Sequence, residues 1–348
     1  TLMKYSNKIL IYRLGSIGDT IVSLPIFNKI NQLYPDKELI LLTNQNASDN
    51  ICTMESILGK HGIIKKFITY KSYQLTIGQL YRVFSIIKKL KIDKIYYMPA
   101  QRTFAQAWRD YIFFKLCGIK KIVGFPRTKK YRYPLVIQGK YHERECCRLV
   151  RCFSSLGEIN LDDKSLWNLH FTKNEVDKFK GLISGLNFNE IICINMGGKI
   201  KDKEWGKDKW VSLIKRINET FKNQNILFMI VGSIQDSERA DELLKYWEGD
   251  QLNLCGVTNP RESAYAISKA NIFIGHDSGP IHLAEASQIP CIGIYGPNSI
   301  PVEWHPYGSS HKILHHPKNT FDVSVDDVYK NFFDLRKSIF YKKKKGDN

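Results

Sequence analysis

Two hydropathy patterns alternate along the chain. Short, nearly continuous apolar runs predict strands buried on both faces. Stretches with apolar residues every third or fourth position predict helices. Ile9 to Leu14 is the first apolar run, and Gly15-Ser16-Ile17-Gly18-Asp19 follows it. From Thr20 to Tyr34, Ile21, Leu24, Phe27, Ile30 and Leu33 recur at helical spacing, and Glu38 to Thr43 is a second apolar run. Strand, helix and strand in such close succession form a βαβ unit and hence a parallel sheet. Further strands are expected at Lys65 to Thr69, Lys94 to Met98 and Lys121 to Gly124. Helices are expected at Leu75 to Leu90, with Leu80, Val83, Phe84, Ile87 and Leu90 on one face, at Phe104 to Leu116 and at Glu143 to Leu156. Between them, residues 127–133 read as a basic and aromatic loop.

The second half repeats the alternation. Strands are expected at Ile191 to Asn195, Ile226 to Val231, Leu252 to Leu254, Ile272 to Gly275 and Cys291 to Ile294. Helices are expected at Glu175 to Leu186, Asp208 to Thr220, Asp236 to Trp247, Pro260 to Lys269, Ser278 to Ser287 and Val325 to Phe340. The pattern predicts an α/β protein with two consecutive parallel sheets. The expected domains are residues 1–165, residues 166–325, and a terminal helix with a basic tail over 326–348. No short-period repeat is visible, which excludes a solenoid.

Composition changes this picture in one respect. The net charge is +18, and Lys and Arg outnumber Asp and Glu chiefly in the first half. An anionic partner is therefore expected on the first domain. The eight cysteines include no CxxC pair, so a zinc site is not expected. No apolar run approaches the roughly 20 residues that span a bilayer, and the first residues lack a signal-like apolar core. A cytoplasmic location is expected, with the basic tail Lys342 to Lys345 and exposed aromatics as candidate contacts to the inner membrane leaflet.

Candidate chemistry gathers in glycine-bearing loops after predicted strands, where open α/β sheets bind ligands. In the first loop, Asp19 reads either as a helix N-cap or as a catalytic base. The loop after the strand at Ile272 carries His276-Asp277-Ser278-Gly279-Pro280, a helix start able to cradle phosphate, with His282 one turn further on. Gly197 and Gly198 follow another strand.

Three segments together resemble the bacterial ADP-heptose:lipopolysaccharide heptosyltransferases, glycosyltransferase family 9. They are Ile9 to Pro25 (ILIYRLGSIGDTIVSLP), Asn195-Met-Gly-Gly with Lys203-Glu-Trp205 and Trp210, and Asp277-Ser-Gly-Pro-Ile-His282-Leu-Ala284 with Tyr295-Gly-Pro297. The resemblance implies two facing Rossmann-like domains (GT-B architecture) with an inter-domain cleft. It implies that Asp19 is the base activating an acceptor hydroxyl. It places Lys203 on donor phosphate, Ser278, Gly279 and His282 at the pyrophosphate, and Asp277 in a positioning role. Gly197 and Gly198 belong to the donor loop. Asp236 or Glu238 falls where a carboxylate holds the donor ribose. Gly15, Gly18, Arg102, Arg127, Lys129 and Arg132 are the candidate acceptor contacts, with Arg109 and Lys130 nearby.

The implied reaction is inverting transfer of heptose from ADP-heptose to an anionic glycolipid acceptor, the lipopolysaccharide inner core. No metal is expected, because Lys203, His282 and helix N–H groups meet the leaving diphosphate. A protein hydroxyl as acceptor, as in adhesin heptosylation, and a nucleotide-sugar epimerase are the alternatives. A nucleic-acid-binding protein would leave the glycine loops without a role, so nucleic acid is not an expected partner.

Overall fold

The structure, a computed structural model, describes residues 6–45, 52–59, 61–198 and 200–346, with backbone alone over 342–346. The chain divides into two units between His170 and Phe171.

The first unit runs β1 (Lys8–Tyr12), α1 (Ile17–Ile21), α2 (Leu24–Leu33), β2 (Glu38–Asn44), α3 (Met54–Leu58), β3 (Ile64–Tyr70), α4 (Ile77–Leu90), β4 (Lys94–Tyr97), α5 (Phe104–Leu116), β5 (Lys121–Val123), α6 (Lys129–Arg132), β6 (Val136–Ile137), β7 (Tyr141–His142) and α7 (Glu145–Cys152). Its sheet has the order β3-β2-β1-β4-β5 and is parallel throughout. Leu10, Tyr12, Ile40, Leu42, Ile95 and Tyr97 bury one sheet face against Val83 and Ile87 of α4, Phe114 of α5 and Cys117 just beyond α5.

The second unit runs α8 (Lys173–Leu182), β8 (Glu190–Asn195), α9 (Lys207–Phe221), β9 (Ile226–Ile230), α10 (Ser237–Leu244), β10 (Gln251–Asn253), α11 (Pro260–Ser268), β11 (Ile272–His276), α12 (Gly279–Ala286), β12 (Cys291–Tyr295), β13 (Lys312–His315) and α13 (Val325–Gly346). Its parallel sheet has the order β10-β9-β8-β11-β12-β13. Val328, Phe332 and Leu335 of α13 lie in this unit's core beside Ile214, Ile217 and Phe221 of α9. Arg336 of α13 donates to both carboxylate oxygens of the buried Glu190, at 2.7 to 3.1 Å. Over its described part, the terminal segment is thus a component of the second unit. The side chains of Lys342 to Lys345 lie outside the described residues.

Several elements differ from the hydropathy pattern. The single helix expected over Thr20 to Tyr34 is two helices, because Pro25 has no N–H to continue the ladder and instead sits in the first turn of α2. The stretch 127–133 is not all loop, since Lys129–Arg132 forms one helical turn. Leu80, expected on the inner face of α4, stands exposed. The helix expected to start at Glu143 starts at Glu145, because Glu143 instead accepts the backbone N–H of Leu135. Strand β13, with only two apolar residues in its run of four, has no hydropathy signal but pairs with β12.

Candidate functional site

Both sheets reverse strand order at their first strand, β1 beside β4 and β8 beside β11. Ligands of open α/β sheets bind beyond the C-terminal ends of the strands at such a point.

In the first unit, the loop after β1 is pinned by Asn44, whose Oδ1 accepts the Gly15 N–H at 2.6 Å. Gly15 has φ +142°, and a Cβ there would overlap the Asp19 carboxyl group. Only glycine lets the loop close over this carboxylate. Ser16, not Asp19, is the N-cap of α1. Asp19 occupies the third helical position, and its Oδ2 accepts the Ser16 backbone N–H at 3.1 Å. Its side chain keeps 23% of its surface exposed. Gly18 lies within the same helix.

The other oxygen of Asp19 meets a residue that the hydropathy pattern does not single out. Arg13, fully buried, donates Nη2 to Asp19 Oδ1 at 3.4 Å and Nη1 to Glu145 Oε1 at 3.2 Å. Glu145 is in turn gripped by Arg148 through two contacts of 2.6 Å. Arg148 also donates to the carbonyls of Pro99 at 2.9 Å and Tyr131 at 3.2 Å. A buried line of alternating charge, Asp19–Arg13–Glu145–Arg148, therefore joins the loops that follow β1, β4 and β5. Burial raises the Glu145 pKa, but Arg148 and Arg13 outweigh it and hold the carboxyl below its ordinary value.

The candidate acceptor cations are not equivalent. Arg102 is held inside the unit, donating to the Tyr12 hydroxyl at 3.3 Å and lying 3.5 Å from Asp110. Arg109 reaches over the surface to the same Asp110 at 2.8 Å. Arg127, Lys129 and Lys130 are exposed. Arg132 donates to the Arg127 carbonyl at 3.2 Å and lies over the Phe104 ring.

In the second unit, Asn195 at the end of β8 joins three loops. Its Nδ2 donates to the Val231 carbonyl at 2.9 Å, and its Oδ1 accepts from Ser278 Oγ at 3.0 Å. Asp277 accepts from both Lys203 Nζ and Ser299 Oγ. Lys203 is thereby carried from its own loop to the turn that opens α12, where Ser278 is the N-cap and Gly279 the first helical residue. The arrangement sets an ammonium beside free helix N–H groups, a combination suited to a diphosphate.

Asp236 closes the neighbouring loops. Its Oδ2 accepts from the Ser233 N–H at 3.0 Å and from Ser233 Oγ at 2.6 Å. A Cβ on Gly197 would overlap its carboxyl group, so this loop too needs glycine. The Gly198 N–H is taken by Glu204 at 3.2 Å, and Glu204 is paired with Arg239 at 3.1 Å. Glu238 stands exposed in the first turn of α10, two residues beyond Asp236.

His282 is placed differently from a presented phosphate donor. It is buried, and its Nδ1 lies 2.9 Å from Glu285 Oε2. Glu285 also accepts the Tyr307 N–H at 2.9 Å, so the pair ties α12 to the loop after β12. The motif residues Trp205 and Trp210 are core side chains, packed edge to face at 5.1 Å.

One buried group here belongs to the phosphate-cradle motif, but the motif assigns it no role. His276, at the end of β11, is fully buried, and neither ring nitrogen has a hydrogen-bond partner. It lies edge-on to Trp210. Burial, reinforced by the charge of Arg239, lowers its pKa to about 3. A histidine this depressed supports the fold while neutral in both states, above its unfolded pKa of roughly 6.5. That support is lost as pH falls from there toward 3. Stability should drop by about 2 kcal/mol between neutral pH and pH 5 through this group. Urea midpoints of wild type and His276→Phe across that range would test it. Parallel pH profiles would exclude the assignment.

Residues 113–332 match the family described as glycosyltransferase family 9 (heptosyltransferase). The chain is 20% identical over 308 residues to the lipopolysaccharide core heptosyltransferase OpsX of Haemophilus influenzae, covering 87% of this chain and 83% of that protein. It is 25% identical over 301 residues to lipopolysaccharide heptosyltransferase 1 of Campylobacter coli, covering 83% of this chain and 84% of that one. The solved structure of E. coli ADP-heptose lps heptosyltransferase II superposes with a TM-score of 0.65 at 16% identity, covering 97% of this chain and 99% of that one.

Proposed function

This chain belongs to glycosyltransferase family 9, the heptosyltransferases, and from that premise we propose that it transfers heptose from ADP-heptose to a hydroxyl of the lipopolysaccharide inner core, with inversion at the anomeric carbon. The names of the relatives support the sugar and the acceptor class. The observation that carries the donor side is the turn at Asp277 to Gly279, where Lys203 is held beside the N-terminus of α12.

The residues divide the work. As the bond between the anomeric carbon and the diphosphate oxygen breaks, negative charge grows on the leaving ADP. The Lys203 ammonium and the N–H groups of the first turn of α12 meet it, without a metal. His282 and Glu285 brace that helix from inside. Asp236 shapes the Gly197 loop, which leaves Glu238 as the carboxylate free to hold the donor ribose. On the acceptor, a hydroxyl oxygen attacks the anomeric carbon while its proton passes to Asp19. Direct displacement with one base inverts the centre. The basic surface of the first unit, with Arg127, Lys129 and Arg132, suits a phosphorylated core saccharide. Such an enzyme works where ADP-heptose is available, on the cytoplasmic side.

Calorimetry in metal-free buffer tests the donor reading. ADP-heptose and ADP should bind in preference to UDP-GlcNAc and GDP-mannose. Lys203→Ala should weaken ADP-heptose binding about 10- to 100-fold, the worth of a charged hydrogen bond. Preference for a UDP or GDP sugar would overturn the heptose assignment.

A further inference from the structure

We propose that the outer face of α4 and α5, together with the basic turn at Lys129–Arg132, is a docking surface for an anionic lipid bilayer. The inner faces of both helices are accounted for by the sheet core, through Val83, Ile87 and Phe114. Their outer faces are apolar as well. On α5, Phe104, Trp108, Ile112 and Leu116 recur every fourth residue, forming one stripe along the helix. All four are exposed, Leu116 to 63%, Phe104 to 58% and Ile112 to 56%. On α4, Ile77 is 87% exposed and Tyr81 70%. The two helices approach at their C-terminal ends, where Lys88 Nζ donates to the Leu116 carbonyl at 3.3 Å. Arg132, over the Phe104 ring, brings the basic turn to the start of the stripe. Isolated exposed apolar side chains need no explanation, but a contiguous set marks an interaction surface.

Charge selects the partner. Residues 71–142 hold 16 Lys and Arg and only two acids, Asp93 and Asp110. Asp110 is buried against Tyr97 and Arg109. Neither α4 nor α5 therefore offers an exposed carboxylate. Two copies of this chain meeting through the face would oppose like charges. Anionic headgroups neutralise them while the apolar stripe enters the acyl boundary. The first turns of α4 and α5 open from the C-terminal ends of β3 and β4, the same sheet edge that carries Asp19. A bilayer docked there presents a lipid-anchored acceptor on the side of the base.

The test is cosedimentation of the full chain with vesicles, without donor or acceptor, so that its failure leaves the transfer reaction standing. The chain should bind phosphatidylglycerol-containing vesicles, release from them at about 0.5 M salt, and ignore pure phosphatidylcholine. The triple variant Ile77→Ser, Tyr81→Ser, Ile112→Ser should bind about tenfold more weakly or worse. Its melting temperature and its transfer to a water-soluble acceptor saccharide should be unchanged. Absence of wild-type binding, or equal binding by the variant, would overturn the proposal. So would a wild-type dimer in sedimentation velocity that the variant abolishes, since the face would then be a contact between copies.

Discussion

Replacing Asp19 by Asn is expected to leave a folded protein that transfers heptose about 10²- to 10⁴-fold more slowly. The amide has nearly the carboxylate's shape, so the loop at Gly15 can still close over it. Its one oxygen can accept from Ser16 N–H or from Arg13, where the carboxylate serves both. The cost in stability should be about 1 kcal/mol. What the amide cannot do is take the acceptor's proton. Single-turnover transfer, with melting and ADP-heptose calorimetry on the same sample, separates the effects. Donor affinity should match wild type, because Asp19 belongs to the first unit and the donor residues to the second. Retained transfer would remove Asp19 as the base.

Glu145→Ala should destabilise the first unit by about 3–5 kcal/mol. The substitution leaves Arg13 and Arg148 buried, and among the described residues Arg13 keeps only Asp19 as a counter-charge. The cost is mainly that of guanidinium groups out of water with too few acceptors, rather than the net worth of the ion pairs themselves. The sign with pH follows from the depressed Glu145 pKa. Its contribution is complete above the ordinary carboxylate range and is lost as pH falls through the native value. The difference between wild type and variant should therefore narrow in acid. Denaturant unfolding at neutral and acid pH measures it. Trp108 and Trp167 supply the first unit's part of the fluorescence change, beside Trp205, Trp210, Trp247 and Trp304 of the second unit. An unchanged midpoint at neutral pH would show that the two arginines find other acceptors. What folded protein remains should also transfer slowly, because Arg13 then has no second anchor with which to orient Asp19.

The strands and most helices were legible because their signals are local. A run such as Ile226 to Ile230 is apolar at every position, which suits a strand covered on both faces. The glycine loops were legible for a related reason: Gly15 and Gly197 stand where any side chain would displace a carboxylate. Local signals also misled. A cap is one of the two local readings of Asp19, because caps are common at helix starts, yet Ser16 holds that position. The hydropathy of α5 predicts a helix over Phe104 to Leu116 without telling that one apolar stripe of it faces outward. Hydropathy counts apolar residues without telling which face is covered.

The sequence by itself determined the two parallel α/β units, the loops at their strand ends, and the family to which the chain belongs. Periodicity, turn chemistry and motif spacing each act over a few residues and survive without knowledge of the fold. Only the tertiary structure decided which polar groups share a site. Arg13 meets Glu145 across 132 positions, Asn195 meets Ser278 across 83, and Lys203 meets Asp277 across 74. It also decided that His276 is buried without a hydrogen-bond partner for either ring nitrogen and that His282 turns inward. The energies involved, desolvation and charge pairing, depend on what folding brings within a few ångströms. Neighbours in the chain do not fix them.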